Sequence, residues 1–357
     1  MAKFRVGDET FDLSVAVGPS NGGPEQECTT FGSVTAIMDW KLGGTLTAVF
    51  AGNSPEAVHI NELASDIWLL GDFPQRFRTW AVWQDWDADG DNRVSTQSVT
   101  YDRLLNRRLV NFPGGLNFNN VDQGEIVWQM WNHTQSLPGG DLGVTPGPRT
   151  TGVSRIRNFP MGDNLGQRAQ ELTDVENGLW WGIDSDLVYT AKMPADFEYL
   201  ETPLQLGVNC RTMQRASTGS DFANITYGDG DAEETTPTVW GLVDIEDDPR
   251  GRWEKAFGWP DVKRQDTLED HVRGELVKSL YPPTHWNIQM EASRWVSDSM
   301  LTPGMQAYLV VPPALAAPLS DPYTLVAVQV TSVSFNFTND GSLDINVVAE
   351  ERSRIAD

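Results

Sequence analysis

Apolar and polar residues alternate with a period of two along most of this chain. The clearest case is residues 34–42 (VTAIMDWKL) and 45–52 (TLTAVFAG), separated by Gly43-Gly44, which predict a β-hairpin. Residues 67–70 and 76–86 are also strand-like, and the second run is Trp-rich, with Trp80, Val82 and Trp86 on one parity. Residues 94–101 alternate again. Further strands are expected at 179–183, 187–190 and 198–200, and at 204–215 with a kink near Asn209. Near the C-terminus, HWNIQM, AYLVV, YTLVAVQVTSVSFNF and LDINVVAEE continue the pattern, and Asn339-Asp340-Gly341-Ser342 marks a hairpin turn between the last two.

Helical spacing is confined to short segments. Residues 54–65 offer Ser54 as N-cap and Pro55 at the first position. Residues 102–110 predict a short amphipathic helix through Leu104, Leu105 and Leu109. In 122–135, Ile126, Val127, Met130 and Trp131 form one apolar stripe. Leu165, Ala169, Leu172 and Val175 mark 163–177, and Leu268, Val272, Leu276 and Leu280 mark 266–280. Residues 11–30, 111–121 and 229–239 read as turns and loops. The fold class that follows is β-dominated α+β, with short helices between β blocks. The absence of regular βα units argues against a doubly wound sheet.

Charge narrows the partners. Fifty acidic residues against 26 basic ones leave a net charge of −24 over 357 residues. Such a chain does not grip nucleic acid, whose phosphates require Lys and Arg, nor an anionic membrane surface. Cys28 and Cys210 make neither a metal spacing nor a disulfide framework and are expected as free thiols. MAKFRVGDETF contains no apolar core of a secretory signal. The best apolar run, 307–319, is interrupted by Pro312, Pro313 and Pro318, so no membrane insertion is expected.

The acidic segment WDADGDN is the foremost chemical candidate. Asp85, Asp87 and Asp89 occupy the first, third and fifth positions of a calcium loop, Gly90 the sixth, with Asp91 following. The twelfth position, normally a bidentate Glu, is Thr96 inside a strand, and no helices flank the loop. A tight turn explains the same letters better. Asp85, Asp87, Asp89 and Asp91 therefore stand as a weak cation candidate only, and no cofactor is expected. His59, His133, His271 and His285 stand in no ligand spacing, and Glu275 beside His271 lacks the second His of a zinc-protease pair. No G-x-S-x-G elbow and no phosphate-cradling glycine loop occur. No catalytic residue is assigned. The aromatics Trp80, Trp83 and Trp86 suit a core face or a protein interface, and Trp83 and Trp86 beside Asp85 and Asp87 are where a glycan platform would lie.

The order of these segments resembles the tail-hub minor tail proteins of long-tailed bacteriophages, especially siphophages of actinobacterial hosts. The resemblance rests on the hairpin followed by VTYDRLLNRRLV (99–110), on helix 122–135 with its long loop and second helix 163–177, and on LWWGIDSD (179–186). Leu206-Gly207-Val208-Asn209 with SDFANITYGDGDAE, and helix 266–280 leading to DGSLDINVVAEER, complete it. It covers roughly residues 33–352 and carries no catalytic motif.

The resemblance implies two β-barrel-like domains per subunit with inserted α/β segments, in a ring-forming hub fold. The implied layout is an N-terminal arm (1–30), part of a first barrel (31–110), an inserted α/β domain (111–205), a return to the barrel with an acidic loop (206–265), and a helix with a C-terminal β-domain (266–357). It further implies a non-enzymatic homotrimer at the virion tail tip, assembled in the host cytoplasm. Its partners would be a distal tail protein and the tip and central fibre proteins, with genomic DNA only in passage. An acidic lumen suits that passage because it repels phosphate. The alternative is a receptor- or carbohydrate-binding tip protein with glycan hydrolase activity.

Overall fold

The computed structural model describes residues 3–6, 9–24, 26–28, 31–71, 73–86, 92–175, 177–217, 219–231, 233–241, 249–259, 265–280, 284–291, 301–311, 325–338 and 342–351. The architecture is β-dominated with few helices. Packing divides the chain into two units, residues 1–213 with 287–349, and 214–286 with 350–357.

The first unit begins with eight strands: β1 (Lys3–Val6), β2 (Glu9–Pro19), β3 (Gln26–Cys28), β4 (Phe31–Asp39), β5 (Gly43–Ala51), β6 (Ser65–Gly71), β7 (Gln75–Trp86) and β8 (Asn92–Thr100). They join in the order β1-β2-β6-β7-β8-β5-β4, with β3 on β2. The turns expected over residues 11–30 are corrected here. β2 runs antiparallel to β6 from Leu13↔Gly71 to Pro19↔Ser65. Val15, Ala16 and Val17 are all buried, so this strand is covered on both faces and shows no alternation to read.

The predicted hairpin 34–52 forms, with its turn one step earlier than expected. Asp39 Oδ1 accepts the N–H groups of Lys41 and Leu42, both at 2.9 Å, and closes the turn. Gly43 and Gly44 belong to β5. Gly43 has φ +70°, and a Cβ there would lie 2.5 Å from the Asp102 carboxylate. The glycine pair thus admits the chain that follows β8. Leu46, Ala48 and Phe50 face the core from β5, while Thr45 and Thr47 face outward.

Two predicted helices are corrected. Residues 54–65 contain only the 3-10 turn Ala57–His59, and Leu63 adopts φ 59°. Val58, 77% exposed, and Leu63 find no apolar surface to pack against, so nothing sustains a full helix. The segment after β8 is a 3-10 helix, Tyr101–Arg107, burying Tyr101, Leu104 and Leu105.

A second core follows, built from β9 (Leu116–Asp122), α1 (Gln123–Gln135), β10 (Thr145–Pro146), β11 (Ser154–Phe159), α2 (Leu165–Asp174), β12 (Trp180–Ile183) and β13 (Val188–Lys192). α1 carries the predicted stripe, with Ile126, Val127, Met130 and Trp131 all 0% exposed. Asp122 Oδ1 caps it at Gly124 N (2.9 Å), and Asn164 Oδ1 caps α2 at Gln167 N (3.0 Å). The expected loop 111–121 in fact ends in β9, paired antiparallel with β11. Both strands are largely polar and half-exposed, so hydropathy does not reveal them.

The chain continues through β14 (Leu204–Gln205), β15 (Cys210–Ser217), β16 (Ile225–Asp229), β17 (Thr238–Gly241), β18 (Glu254–Gly258), α3 (Gln265–Leu280), β19 (Thr284–Met290), β20 (Gln306–Val310), β21 (Leu325–Thr338) and β22 (Leu343–Glu351). β21 extends the large sheet from β4 and also pairs β20, which pairs β14. Its buried set changes parity from Val328 and Val330 to Val333, Phe335 and Phe337. The change falls where its partner switches from β20 to β4. The turn expected at Asn339-Asp340-Gly341 lies outside the described residues.

In the second unit, β16 pairs antiparallel with β17 and parallel with β18. The loop expected over 229–239 is thus entered from one strand and left by another. α3 lies against this small sheet: Thr226 Oγ1 donates to Val272 O at 3.0 Å, and a Cβ on Gly228 would meet Val272 at 2.1 Å. The stripe Leu268, Val272, Leu276 and Leu280 is buried, as its spacing predicts.

Candidate functional site

The reactive side chains are dispersed. Among the described residues, no group of three or more His, Cys, Asp or Glu is placed to hold a metal ion. His59 and His271 are exposed, and His133 and His285 are half-buried. His133 Nε2 accepts the Asn111 N–H at 3.1 Å, and His271 stacks on Trp259 at 5.2 Å. Cys28 and Cys210 are both free and buried, and burial pushes each thiol up to about 12. The native protein is therefore expected to leave both thiols unmodified by a disulfide reagent at about pH 8, where an ordinary thiol reacts. Denaturant should release two equivalents, and a rapid native equivalent would contradict this burial.

Asp87, Asp89, Gly90 and Asp91 lie outside the described residues. On either side of them two strands run in register, Asp85 opposite Arg93 and Trp86 opposite Asn92. Thr96, at the twelfth loop position, is 0% exposed and its hydroxyl donates to Ala48 O at 3.4 Å. It is committed to the sheet. Trp83 and Trp86 are 48% and 69% exposed. Strand alternation places them on opposite faces, with Asp85 on the side of Trp83, so they do not form one flat platform. Trp80 does not share their role: a register shift between Thr79 and Ala81 turns it toward the second core.

Sequence reasoning missed the strongest electrostatic feature. Asp66 is 0% exposed and accepts from Arg76 Nε, Arg78 Nε and the Tyr101 hydroxyl, each at 2.6 Å. Arg78 also donates to the Tyr101 oxygen at 2.6 Å and to Leu63 O at 3.3 Å. Arg76 reaches Ser20 O and Gly22 O at 2.9 and 3.2 Å. Burial pushes the Tyr101 phenol up to about 12, with Asp66 adding to the effect. Burial disfavours the Arg78 charge, yet Asp66 and Tyr101 hold it above its ordinary value. The only sequence trace is the Arg-x-Arg pattern on one parity of β7. This network joins four segments around the wholly buried Asp66 and acts as a fastening.

The accessible features are surfaces. Tyr199 and Tyr308 stack at 5.7 Å and 20° and are 46% and 40% exposed. Separately, the outer face of β5, β8 and β7 ends at the 3-10 helix in an open hollow of about 260 Å³, lined by Thr45, Trp80, Gln97, Arg103, Asn106 and Arg107. The Arg107 guanidinium lies over the Trp80 ring at 4.8 Å. Both features are aromatic, and the hollow also carries two guanidiniums.

No family model and no curated protein matches the chain. Solved structures do. The tail protein from Neisseria meningitidis MC58 superposes with a TM-score of 0.66 at 10% identity, covering 96% of this chain and 97% of that one. The 43 kDa tail protein of prophage MuSo2 from Shewanella oneidensis gives the same TM-score, identity and coverage. The chain shares the fold of phage tail proteins. A third structure is the E. coli c3393 protein, a type VI secretion component with structural similarity to T4 tail proteins gp27 and gp5; its TM-score is 0.50 at 12% identity, over 95% of this chain and 77% of that one. At such identity the likeness is one of fold, since many side-chain sets fill the same core.

Proposed function

We propose that this chain is a structural component of the phage virion tail, a tail-tip hub without enzymatic activity. The observation that carries the reading is the fold shared with two tail proteins over 96% of this chain. Copies of the chain form a homotrimeric ring that joins the tail tube, through a distal tail protein, to the tip and central fibre proteins. Genomic DNA passes through its lumen during ejection. The phage is a siphophage of an actinobacterial host, and assembly takes place in the host cytoplasm. Net charge −24 supports this use, because an acidic channel repels phosphate and lets DNA slide. The segment-order resemblance supports the hub position specifically.

Mass photometry and electron microscopy of the purified chain test the reading. The expected result is a species of three times 39.6 kDa that images as a threefold ring. A monodisperse monomer at high concentration, together with tails that contain no ring of this chain, would overturn it.

A further inference from the structure

We propose that the hollow at Arg103 and Arg107 receives a carboxylate side chain of a second copy of this chain and is a cationic half of its self-association contact. The proposal rests on the ring reading above and names a surface through which the copies meet.

Charge pairing draws attention to this place. Carboxylates outnumber bases nearly two to one, and several described arginines are held by one: Arg76 and Arg78 by Asp66, Arg149 by Glu125, Arg168 by Asp163, Arg211 by Glu291, Arg215 by Glu351 and Arg252 by Glu254. Arg103 and Arg107 make no ion pair with a described carboxylate, although both line the same hollow. They project from one 3-10 helix, four residues apart. Arg107 rests one face on the Trp80 indole, which fixes the guanidinium plane and leaves its N–H edge available. Gln97, Asn106 and Thr45 supply further hydrogen-bonding groups around the opening. Two guanidiniums with a pre-set plane and neutral polar neighbours are what a carboxylate requires.

The second copy is the favoured occupant on electrostatic grounds. Copies with net charge −24 repel one another, so their association needs cationic positions that convert repulsion into pairing. The hollow is positive, so it meets a different, acidic face of its neighbour; where such a contact is heterologous and its rotation closes, the copies form a ring.

The test measures self-association of the full chain by mass photometry and sedimentation over a concentration series. Arg103→Gln/Arg107→Gln is compared with wild type, and so is Gln97→Glu, which sets a carboxylate inside the hollow without removing either arginine. Both variants are expected to weaken self-association on the order of tenfold or more, as for charge pairs desolvated at an interface, with near-ultraviolet circular dichroism unchanged. If wild type self-associates and both variants match it, the hollow inference is overturned while the ring reading stands. If wild type remains monomeric throughout, both fail together.

Discussion

An Asp66→Ala variant is expected to lose about 3–5 kcal/mol of stability in the first unit, because it strands the buried Arg78 and the half-buried Arg76 without a counter-charge. Asp66 is wholly buried and is the shared acceptor for Arg76, Arg78 and Tyr101. Neither guanidinium has another carboxylate against it. Their remaining acceptors are backbone carbonyls of Ser20, Gly22 and Leu63. Removing the carboxylate therefore leaves charge that water cannot reach. Tyr101→Phe removes one hydroxyl from the same network and should cost only about 1 kcal/mol. Urea denaturation followed by tryptophan fluorescence checks both. A loss below about 1 kcal/mol for Asp66→Ala would mean that the buried network is not formed.

Trp131→Ala is the second large effect, at about 3–5 kcal/mol, through a cavity in the second core. Trp131 is 0% exposed on α1, among Leu104, Leu105, Leu165 and Leu172 of the same cluster. Its indole N–H is buried and has no hydrogen-bond partner. Trp131→Phe deletes that unsatisfied donor along with some volume, so its cost should be much smaller, about 1 kcal/mol. Equal losses for Ala and Phe would show that the N–H, not the ring volume, matters, contrary to the structure. Because the chain has two packing units, each loss is read from the transition of the first unit and not from a single midpoint.

Legibility followed how locally each element is stabilised. Helix α1 was readable because its stripe and Asp122 cap lie within fourteen consecutive residues. The hairpin β4–β5 was readable because each strand has one core face and one outer face. β2 was not, since consecutive residues Val15, Ala16 and Val17 are all buried and leave no alternation. β9 and β11 were not, since their hydrogen bonds come from each other across more than thirty residues of chain. For the candidate surfaces, the sequence drew attention to the aspartates after Trp86. The structure shows instead that Thr96 is locked into the sheet and that Arg103 and Arg107 line one open hollow.

By itself, the sequence determined the β-dominated class, the three α-helices and the strongly acidic surface, because periodicity and net charge are properties of the string. Tertiary structure alone decided which carboxylate meets which guanidinium. Asp66 finds Arg76 and Arg78 only through the β6–β7 register, and Tyr101 only through the turn out of β8. Arg107 keeps its charge exposed, with its guanidinium over the Trp80 ring, and Arg103 lines the same hollow. Pairing of charges depends on distances of a few ångströms between segments remote in sequence. Composition fixes how many charges there are, and only packing fixes which of them remain to be answered by another molecule.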